Sequence, residues 1–192
     1  MIDFAQACLD GGARLLQVRA KQVDAGAFLA AVETIVARAA ATDPHTQVIV
    51  NDRADIARLA RAQGVHVGQD DLGPAAVRQL VGDAAVVGLS THTDAQLDQA
   101  LATPSTYVAI GPVFSTETKA TGYTAVGVAR VRHVSSMAAV HGRPVVAIGG
   151  ITLEHAPSVI DAGASAVAVI SDLLATGDPT ARVRDYLRRL GA

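Results

Sequence analysis

The sequence predicts a single α/β domain, a (β/α)8 barrel of the TIM type that lacks its first strand at the N-terminus. Two observations predict it. Short apolar runs recur about every 20 residues, and Ala- and Leu-rich segments with helical spacing lie between them. Strands that alternate with helices and are apolar on both faces are typical of a parallel sheet. Seven such units with short connections favour a closed barrel over an open doubly wound sheet.

Seven segments are predicted as buried strands because they are short, apolar and rich in β-branched residues. They cover residues 15–18, 47–50, 65–67, 85–89, 107–110, 144–148 and 166–170. No linker or low-complexity tract interrupts the chain. We therefore expect residues 1–192 to form one barrel domain.

Helices are predicted wherever apolar residues recur at helical spacing on one face. The main segments are residues 25–41, 53–62, 75–81, 94–101, 153–163 and 179–190. Residues 2–11 also read as a helix, and no strand precedes them. An eight-stranded barrel would then lack its first strand and leave two edges that are normally paired. We expect an N-terminally truncated barrel, with a seven-stranded or partner-completed barrel as the alternative.

Composition excludes several classes of function. Sixteen basic against eighteen acidic residues give a net charge of -2, which argues against a generally basic nucleic-acid surface. Six aromatic residues and no Trp cannot build a base-stacking platform. The single cysteine, Cys8, cannot form an intrachain disulfide, and the first ten residues lack the pattern of a secretory signal. We expect a cytoplasmic protein, without nucleic-acid partners and compatible with a homo-oligomer.

A membrane span is not expected either. Bilayer-crossing helices need about 18 or more predominantly apolar residues. The longest uninterrupted apolar runs stop well short of that length, at Gly, Asp or Ser. The sequence therefore predicts no membrane partner.

The two lysines of the chain are candidate functional residues. Lys21 and Lys119 stand against fourteen arginines, so ordinary surface cations are nearly all Arg. Lys differs from Arg at sites that need a compact point charge. Chance is the alternative explanation of their rarity.

The first predicted strand ends in a group of polar side chains. Alternation places Gln17, Arg19 and Lys21 on one face, opposite the apolar residues. In parallel barrels the carboxyl ends of the strands carry the chemistry. Burying two cations there without an anionic partner is costly, so the pattern favours a phosphate or diphosphate clamp. Alternatively, Arg19 and Lys21 extend into solvent at a frayed strand end.

Carboxylates follow the next two strands. Asp52 comes directly after the second strand and Asp71 shortly after the third. Carboxylates at successive strand ends can converge on one divalent cation, and oxygen ligands beside phosphates favour magnesium. Asp52 could instead be a helix N-cap, and Asp71 a turn residue.

The last two strands point to a second anion site. Gly149 and Gly150 follow the sixth strand, and Ser171 follows the seventh. In a full barrel these would be strands seven and eight, after which such folds commonly hold a phosphate. Glycine lets backbone amides approach an anion. The long loop over residues 111–119 is where such barrels place substrate contacts, and it carries Lys119.

Seven motifs in order resemble the thiamine-phosphate synthase family and span nearly the whole chain. They are QVRAK (17–21), NDRADIA (51–57), GVHVGQDDL (64–72), GLSTHT (88–93), GPVFSTETK (111–119), AIGGI (147–151) and AGASAVAVIS (162–171). Seven motifs together are far more specific than any one of them. The resemblance implies a (β/α)8 barrel that joins 4-amino-5-hydroxymethyl-2-methylpyrimidine diphosphate to 4-methyl-5-(2-phosphoethyl)thiazole and releases diphosphate.

The resemblance also implies roles for individual residues. Those for pyrimidine diphosphate binding are Gln17, Arg19, Lys21, Asn51, Ser90 and Lys119. Those for thiazole phosphate binding are Thr116, Thr118, Gly150, Ile170 and Ser171. Asp52 and Asp71 would bind Mg²⁺, the implied cofactor. Arg19, Lys21 and Lys119 would be catalytic because they stabilise the departing diphosphate, and no side-chain nucleophile is required.

Two departures and several alternatives accompany this resemblance. Ser115 stands where many relatives have Pro, and the segment after Lys119 is longer and less acidic than in many of them. A thiazole tautomerase-like relative would need no metal diphosphate clamp. A phosphosugar aldolase would use Lys21 or Lys119 as a Schiff base, and a non-catalytic thiamine-phosphate-binding barrel would need neither. His66 and His92 are interpreted as packing or loop residues.

Overall fold

A parallel sheet of seven strands forms the centre of the protein. A computed structural model describes residues 1–116 and 122–191. The strands are β1 (Leu15–Val18), β2 (Gln47–Asn51), β3 (Gly64–Val67), β4 (Val86–Thr91), β5 (Tyr107–Ile110), β6 (Val145–Ile148) and β7 (Ala166–Ala168). Each strand pairs in parallel with the next one along the chain. The strand order is that of a TIM-barrel-like fold, as the sequence predicts.

Helices connect the strands and cover the sheet. They are α1 (Ile2–Asp10), α2 (Ala25–Thr42), α3 (Ala54–Leu59), α4 (Pro74–Val81), α5 (Asp94–Leu101), α6 (Gly127–Val140), α7 (Ala156–Asp161), α8 (Ser171–Leu174) and α9 (Pro179–Leu190). As predicted, α1 precedes the first strand. Helices α6 and α8 were not predicted from the sequence.

Several predicted elements are longer than the observed ones, among them the helix over 153–163, which is observed as Ala156–Asp161, and two of them show the physical reason. The predicted strand over 166–170 ends at Ala168, because Ile170 leaves the extended conformation at the N-cap of α8. The predicted helix over 53–62 ends at Leu59 and is followed by Arg61 in the left-handed conformation, with φ 55°. In both cases the residues beyond the observed end are still apolar or good helix formers. Composition alone therefore did not indicate where the strand or the helix ends.

Helix α2 shows how the helices join the core. Phe28, Val32, Ile35 and Ala39 recur at helical spacing and are buried. Burying each large apolar side chain contributes about 1.5 to 3 kcal/mol. The helix packs against α1, β2 and α3. Its apolar face is therefore part of the hydrophobic core.

The same helix corrects the expectation that no segment is long and apolar enough to cross a membrane. Helix α2 has 18 residues and a mean hydropathy of 1.3. By length and composition alone, it is long enough and apolar enough to cross a membrane. The prediction counted uninterrupted apolar runs, whereas this helix tolerates Glu33 and Arg38 among its alanines.

Helices close the fold where the sheet remains open. Within the described residues, β1 pairs only with β2, and β7 pairs only with β6. Helix α1 packs against α9, and the Thr180 hydroxyl donates a 2.9 Å hydrogen bond to the Ala7 carbonyl. Gly11 is required at this contact, because a Cβ there would lie 2.6 Å from Cβ of Val183. The first and last helices of the fold therefore pack against each other.

Candidate active site

Polar residues of β1–β3 meet at the carboxyl edge of the sheet. Gln17, Arg19 and Lys21 are exposed, whereas the intervening Val18 is buried, which agrees with the predicted alternation. The Lys21 ammonium nitrogen lies 3.3 Å from a carboxylate oxygen of Asp52. Two residues that were predicted from separate strand ends therefore form an ion pair.

Asp52 adopts an unusual backbone conformation for a residue other than glycine. Its φ is 62°, and its backbone N–H donates to the His66 carbonyl at 2.8 Å. The N-cap of α3 is Arg53, so the alternative N-cap role of Asp52 does not apply. Asp and Asn are the residues other than glycine that tolerate the left-handed region best. The turn directs the Asp52 side chain toward Lys21.

Asp52 and Asp71 form a carboxylate pair. Burial is the largest cause that raises the pKa of Asp52, a hydrogen bond and charge repulsion with Asp71 raise it further, and Lys21 opposes the shift. Asp71 also accepts a 2.8 Å hydrogen bond from the Gly68 N–H, so it has the predicted turn role as well. Two neighbouring carboxylates favour a bound cation between them.

The donor set fits Mg²⁺ held together with a phosphate ligand. The described residues contain no group of three or more His, Cys, Asp or Glu that could hold a metal ion. Mg²⁺ is commonly bound through one or two carboxylates together with substrate phosphates and water. Asp52 and Asp71 meet that requirement, and Lys21 lies beside them.

Ser90 belongs to a buried chain of hydrogen bonds that the sequence did not reveal. Its Oγ lies 2.8 Å from Nε2 of His66, and Nδ1 of His66 lies 2.8 Å from the Tyr107 hydroxyl. His66 and Tyr107 are buried, and burial raises the pKa of Tyr107. His66 is thus more than the packing residue that the sequence suggested, because it orients the Ser90 hydroxyl.

Gly88 makes room for this chain. A Cβ at Gly88 would lie 2.2 Å from Cζ of Tyr107 and 2.5 Å from Nδ1 of His66. Such contacts are far closer than van der Waals distance. Glycine at this position therefore lets the ring of Tyr107 reach His66 across β4.

The resemblance implies that Ser90 binds the pyrimidine diphosphate, and on that assignment removal of the Tyr107 hydroxyl is expected to weaken this binding. Tyr107→Phe keeps the ring but leaves His66 without its 2.8 Å partner, so the imidazole no longer fixes the Ser90 hydroxyl. We expect KM for the pyrimidine diphosphate to rise about three- to tenfold, the usual consequence of one lost buried hydrogen bond. Steady-state kinetics with each substrate varied in turn measure it. Tyr186→Phe is the control that should leave this KM unchanged, because the Tyr186 hydroxyl donates to Asp172, which lines a separate cavity beyond β6 and β7.

The loop after β5 is anchored on both sides of residues 117–121. The backbone N–H groups of Val126 and Gly127 donate to the carbonyls of Pro112 and Val113. His92 Nδ1 lies 2.6 Å from the Gly111 carbonyl oxygen, and its ring stacks on Tyr123 at 3.8 Å. His92 therefore has a loop-anchoring role, as predicted. Thr118 and Lys119 lie outside the described residues.

The thiazole half of the predicted site surrounds an open cavity of about 390 Å³. Thr116, Gly150 and Ser171 line it together, although they follow three different strands. Ile170 precedes Ser171 and is 43% exposed. Asp172 also lines the cavity, and sequence reasoning assigned it no role.

Gly150 has a second reason to be glycine, besides the predicted approach of an anion to the backbone. Its φ is +63°, and a Cβ would lie 2.5 Å from the Ser115 carbonyl oxygen and 2.8 Å from that of Phe114. A side chain at this position is also expected to block the approach of an anion to the backbone amides. The structure shows that it would first meet the backbone of the loop after β5.

Comparison with known proteins decides the family. The chain matches the sequence profile described as thiamine monophosphate synthase (TMP-TENI) over residues 1–173. The chain belongs to the thiamine-phosphate synthase family. A thiamine-phosphate synthase of Koribacter versatilis is 44% identical over 187 residues, which cover 97% of this chain and 85% of that protein. A thiamine-phosphate synthase of Saccharopolyspora erythraea is 40% identical over 198 residues, which cover 100% of this chain and 86% of that protein.

Solved structures agree on the fold. A thiamine phosphate pyrophosphorylase from Pyrococcus furiosus superposes with a TM-score of 0.88 at 24% identity, covering 99% of this chain and 89% of that one. Phosphoribosyl anthranilate isomerase from Thermotoga maritima superposes with a TM-score of 0.70 at 14% identity, and the match covers 100% of this chain and 94% of that one. Identities this low show a TIM-barrel-like fold and nothing more.

Family membership confirms the function predicted from the motifs. The activity is that of a thiamine-phosphate synthase, a transferase of thiamine biosynthesis. Members of this family typically use Mg²⁺. Which residues of this thiamine-phosphate synthase bind which group remains a prediction.

Proposed function

We propose that this thiamine-phosphate synthase binds two phosphorylated substrates at opposite sides of one sheet edge. The pyrimidine diphosphate binds beyond β1–β4, and the thiazole phosphate binds beyond β6 and β7. One observation carries this assignment: a charged cluster with paired carboxylates lies at one side, and a cavity lined by Gly150 and Ser171, whose carboxylate, Asp172, is paired with Arg182, lies at the other. A diphosphate with Mg²⁺ suits the former, and a single phosphate suits the latter.

The charged side binds the leaving group. Asp52 and Asp71 hold Mg²⁺, which when bound neutralises charge on the diphosphate. Arg19 and Lys21 extend from the end of β1 on the same face, and Lys21 already lies beside Asp52. Cations placed where negative charge develops lower the barrier most, because they need no rearrangement during the reaction. Gln17 and Asn51 complete this side of the proposed site.

The chemistry proceeds by departure of diphosphate before attack. The bond between the exocyclic methylene and the diphosphate oxygen breaks, and the electron-rich aminopyrimidine ring delocalises the positive charge. The thiazole nitrogen then donates its lone pair to the methylene carbon and forms the new C–N bond. The Ser90 hydroxyl, oriented by His66, donates to the pyrimidine diphosphate. The protein supplies orientation and charge stabilisation, so no side-chain nucleophile takes part.

The cavity side binds and aims the thiazole phosphate. Thr116 and Ser171 donate hydroxyl hydrogen bonds, and the backbone at Gly150 approaches the phosphate closely. The exposed Ile170 side chain contacts the thiazole ring. By motif, Thr118 joins this phosphate site, and Lys119 binds the diphosphate as the third catalytic cation. Binding both partners at one edge holds the nitrogen in line with the methylene carbon.

We further propose that the chain acts as a single barrel domain in the cytoplasm. We also propose that it forms a homo-oligomer. Light scattering of the purified protein measures its oligomeric state. No part of the proposed mechanism needs a residue from a second copy.

The assay that tests the function uses both substrates with Mg²⁺. Thiamine phosphate and diphosphate are expected in equal amounts, and each should be absent when one substrate is omitted. No product with both substrates present would contradict the proposal and favour a non-catalytic barrel. Borohydride-stable labelling of Lys21 or Lys119 by a phosphosugar would favour the aldolase alternative. Isomerisation of a thiazole phosphate without use of the pyrimidine diphosphate would favour the tautomerase-like alternative.

A further inference from the structure

A carboxylate lines the cavity that is proposed to bind a phosphate. Asp172 directly follows Ser171 and shares the cavity with Gly150. An uncompensated carboxylate at this place would repel a phosphate, since like charges a few ångström apart repel strongly in a partly buried site. Its contacts therefore decide whether Asp172 opposes or supports binding.

The Asp172 carboxylate accepts four hydrogen bonds from neighbouring groups of the protein. Nε and Nη2 of Arg182 lie 3.0 and 3.1 Å from its two oxygens, in bidentate geometry. The Tyr186 hydroxyl donates a 2.6 Å hydrogen bond to Oδ2, and the Leu153 N–H donates to the same oxygen at 3.2 Å. Only 10% of the Asp172 side chain is exposed. The carboxylate thus points into a cluster of donors.

These contacts keep the Asp172 carboxylate ionised and compensate its negative charge. Burial acts to raise the pKa of Asp172, but hydrogen bonds from Arg182, Tyr186 and the Leu153 N–H together lower it. Burial and the bond to Asp172 raise the pKa of Tyr186, so its hydroxyl remains a donor. Arg182 supplies the compensating positive charge. The cluster therefore adds no net charge to the cavity.

The cluster joins the two segments that form the proposed phosphate site. Leu153 belongs to the connection that begins at Gly149 and Gly150, whereas Asp172 lies in α8 next to Ser171. Arg182 and Tyr186 stand one turn apart on α9, so both reach the same carboxylate. The Tyr186 hydroxyl also lies 3.4 Å from the Ile151 carbonyl oxygen. One carboxylate thus connects both segments to α9.

We propose that Asp172, Arg182 and Tyr186 form a positioning cluster that fixes Gly150 and Ser171 relative to each other and so sets the affinity for the thiazole phosphate. This inference rests on the proposed function, which places that substrate in the cavity. A site whose two segments are already held in place loses less conformational freedom on binding and therefore binds more tightly. These three are positioning residues, because they act through Gly150 and Ser171.

Tyr186→Phe is the sharpest test, because it removes one hydroxyl and keeps the buried ring. We expect Kd and KM for the thiazole phosphate to rise about three- to tenfold, and those for the pyrimidine diphosphate to stay within about twofold. Arg182→Lys keeps the charge but loses the bidentate geometry, so it should act in the same direction. Arg188→Ala is the matched control on α9, because Arg188 is exposed and pairs only with Asp185 among the contacts described.

Calorimetric titration of each folded variant with each substrate separates the outcomes. Unchanged thiazole phosphate affinity in both Tyr186→Phe and Arg182→Lys would overturn the inference, whatever happens to the melting temperature. Equal loss of affinity for both substrates would also overturn it, since that indicates general distortion.

A reference variant distinguishes this inference from the proposed function. Ser171→Ala should weaken thiazole phosphate binding even with the cluster intact. If Ser171→Ala has this effect and the cluster variants do not, only the positioning role is wrong. If Ser171→Ala has no effect, the substrate does not bind in this cavity, and both proposals are wrong.

Discussion

Asp52→Asn and Asp71→Asn are each expected to lower kcat/KM about a hundredfold or more, the size of loss typical when an electrostatic contact to developing charge is removed. Each substitution removes one of the two carboxylates that face each other beside Lys21. Asn is preferred to Ala at Asp52, because φ is 62° there and Asn tolerates this conformation. Activity should fall because the proposed Mg²⁺ site loses one of its two carboxylates, whereas the backbone should be preserved.

Magnesium titrations at fixed substrate concentrations measure this effect. Both variants should need much more Mg²⁺ for half-maximal rate, or show no response to it. Asp70→Ala is the matched control, because Asp70 is an exposed neighbour of Asp71 and the proposed pair does not include it. Parental activity and parental Mg²⁺ dependence in both Asn variants would remove Asp52 and Asp71 from the metal site.

The strands could be predicted from the sequence because a parallel sheet covered on both faces needs continuous apolar runs. The runs at 107–110 and 65–67 match β5 and most of β3. Helix α6 was missed even though Val131, Val134 and Ala138 recur at helical spacing and are buried. Its β-branched residues and the pair Ser135-Ser136 weaken helix propensity, and burial against the sheet outweighs that preference.

The charged half of the site could be predicted because strand geometry alone positions it. Alternation along β1 separates Arg19 and Lys21 from Val18, and parallel strands bring Asp52 near Asp71. Barrel position predicted the second anion site at Gly150 and Ser171, the resemblance added Thr116, and the structure brings these three residues to one cavity.

The supporting contacts could not be predicted in the same way. His66 meets Tyr107 across 41 residues of sequence, and this pairing depends on the space left by Gly88 between them. Asp172 meets Tyr186 only because α9 packs against α8. Hydrogen bonds of this kind depend on tertiary packing, which leaves no periodic pattern in the sequence.

Gly150→Ala is expected to impair both halves of the reaction. A Cβ at this position would lie 2.5 Å from the Ser115 carbonyl oxygen and 2.8 Å from that of Phe114, so the loop after β5 must move. Thr116 directly follows Ser115 in the sequence, and Lys119 lies three residues after Thr116. We expect KM for the thiazole phosphate to rise about thirtyfold or more and kcat to fall as well, because both anion sites depend on this loop. A side chain that only blocked an anion would raise this KM and leave kcat unchanged.

Gly142→Ala separates the contact from backbone strain. Gly142 has φ +60°, close to the +63° of Gly150, but a Cβ there would meet nothing within 4 Å. Both variants should lose about 1 to 2 kcal/mol of unfolding free energy from this strain, because Ala is disfavoured in the left-handed region, and Gly150→Ala should lose more because its Cβ also displaces the loop. Only Gly150→Ala should also lose activity, since only its Cβ displaces the loop. Denaturant unfolding and steady-state kinetics of the two proteins test this directly. If Gly150→Ala kept parental KM and kcat while losing as much stability as Gly142→Ala, the loop after β5 would not need its observed position for catalysis.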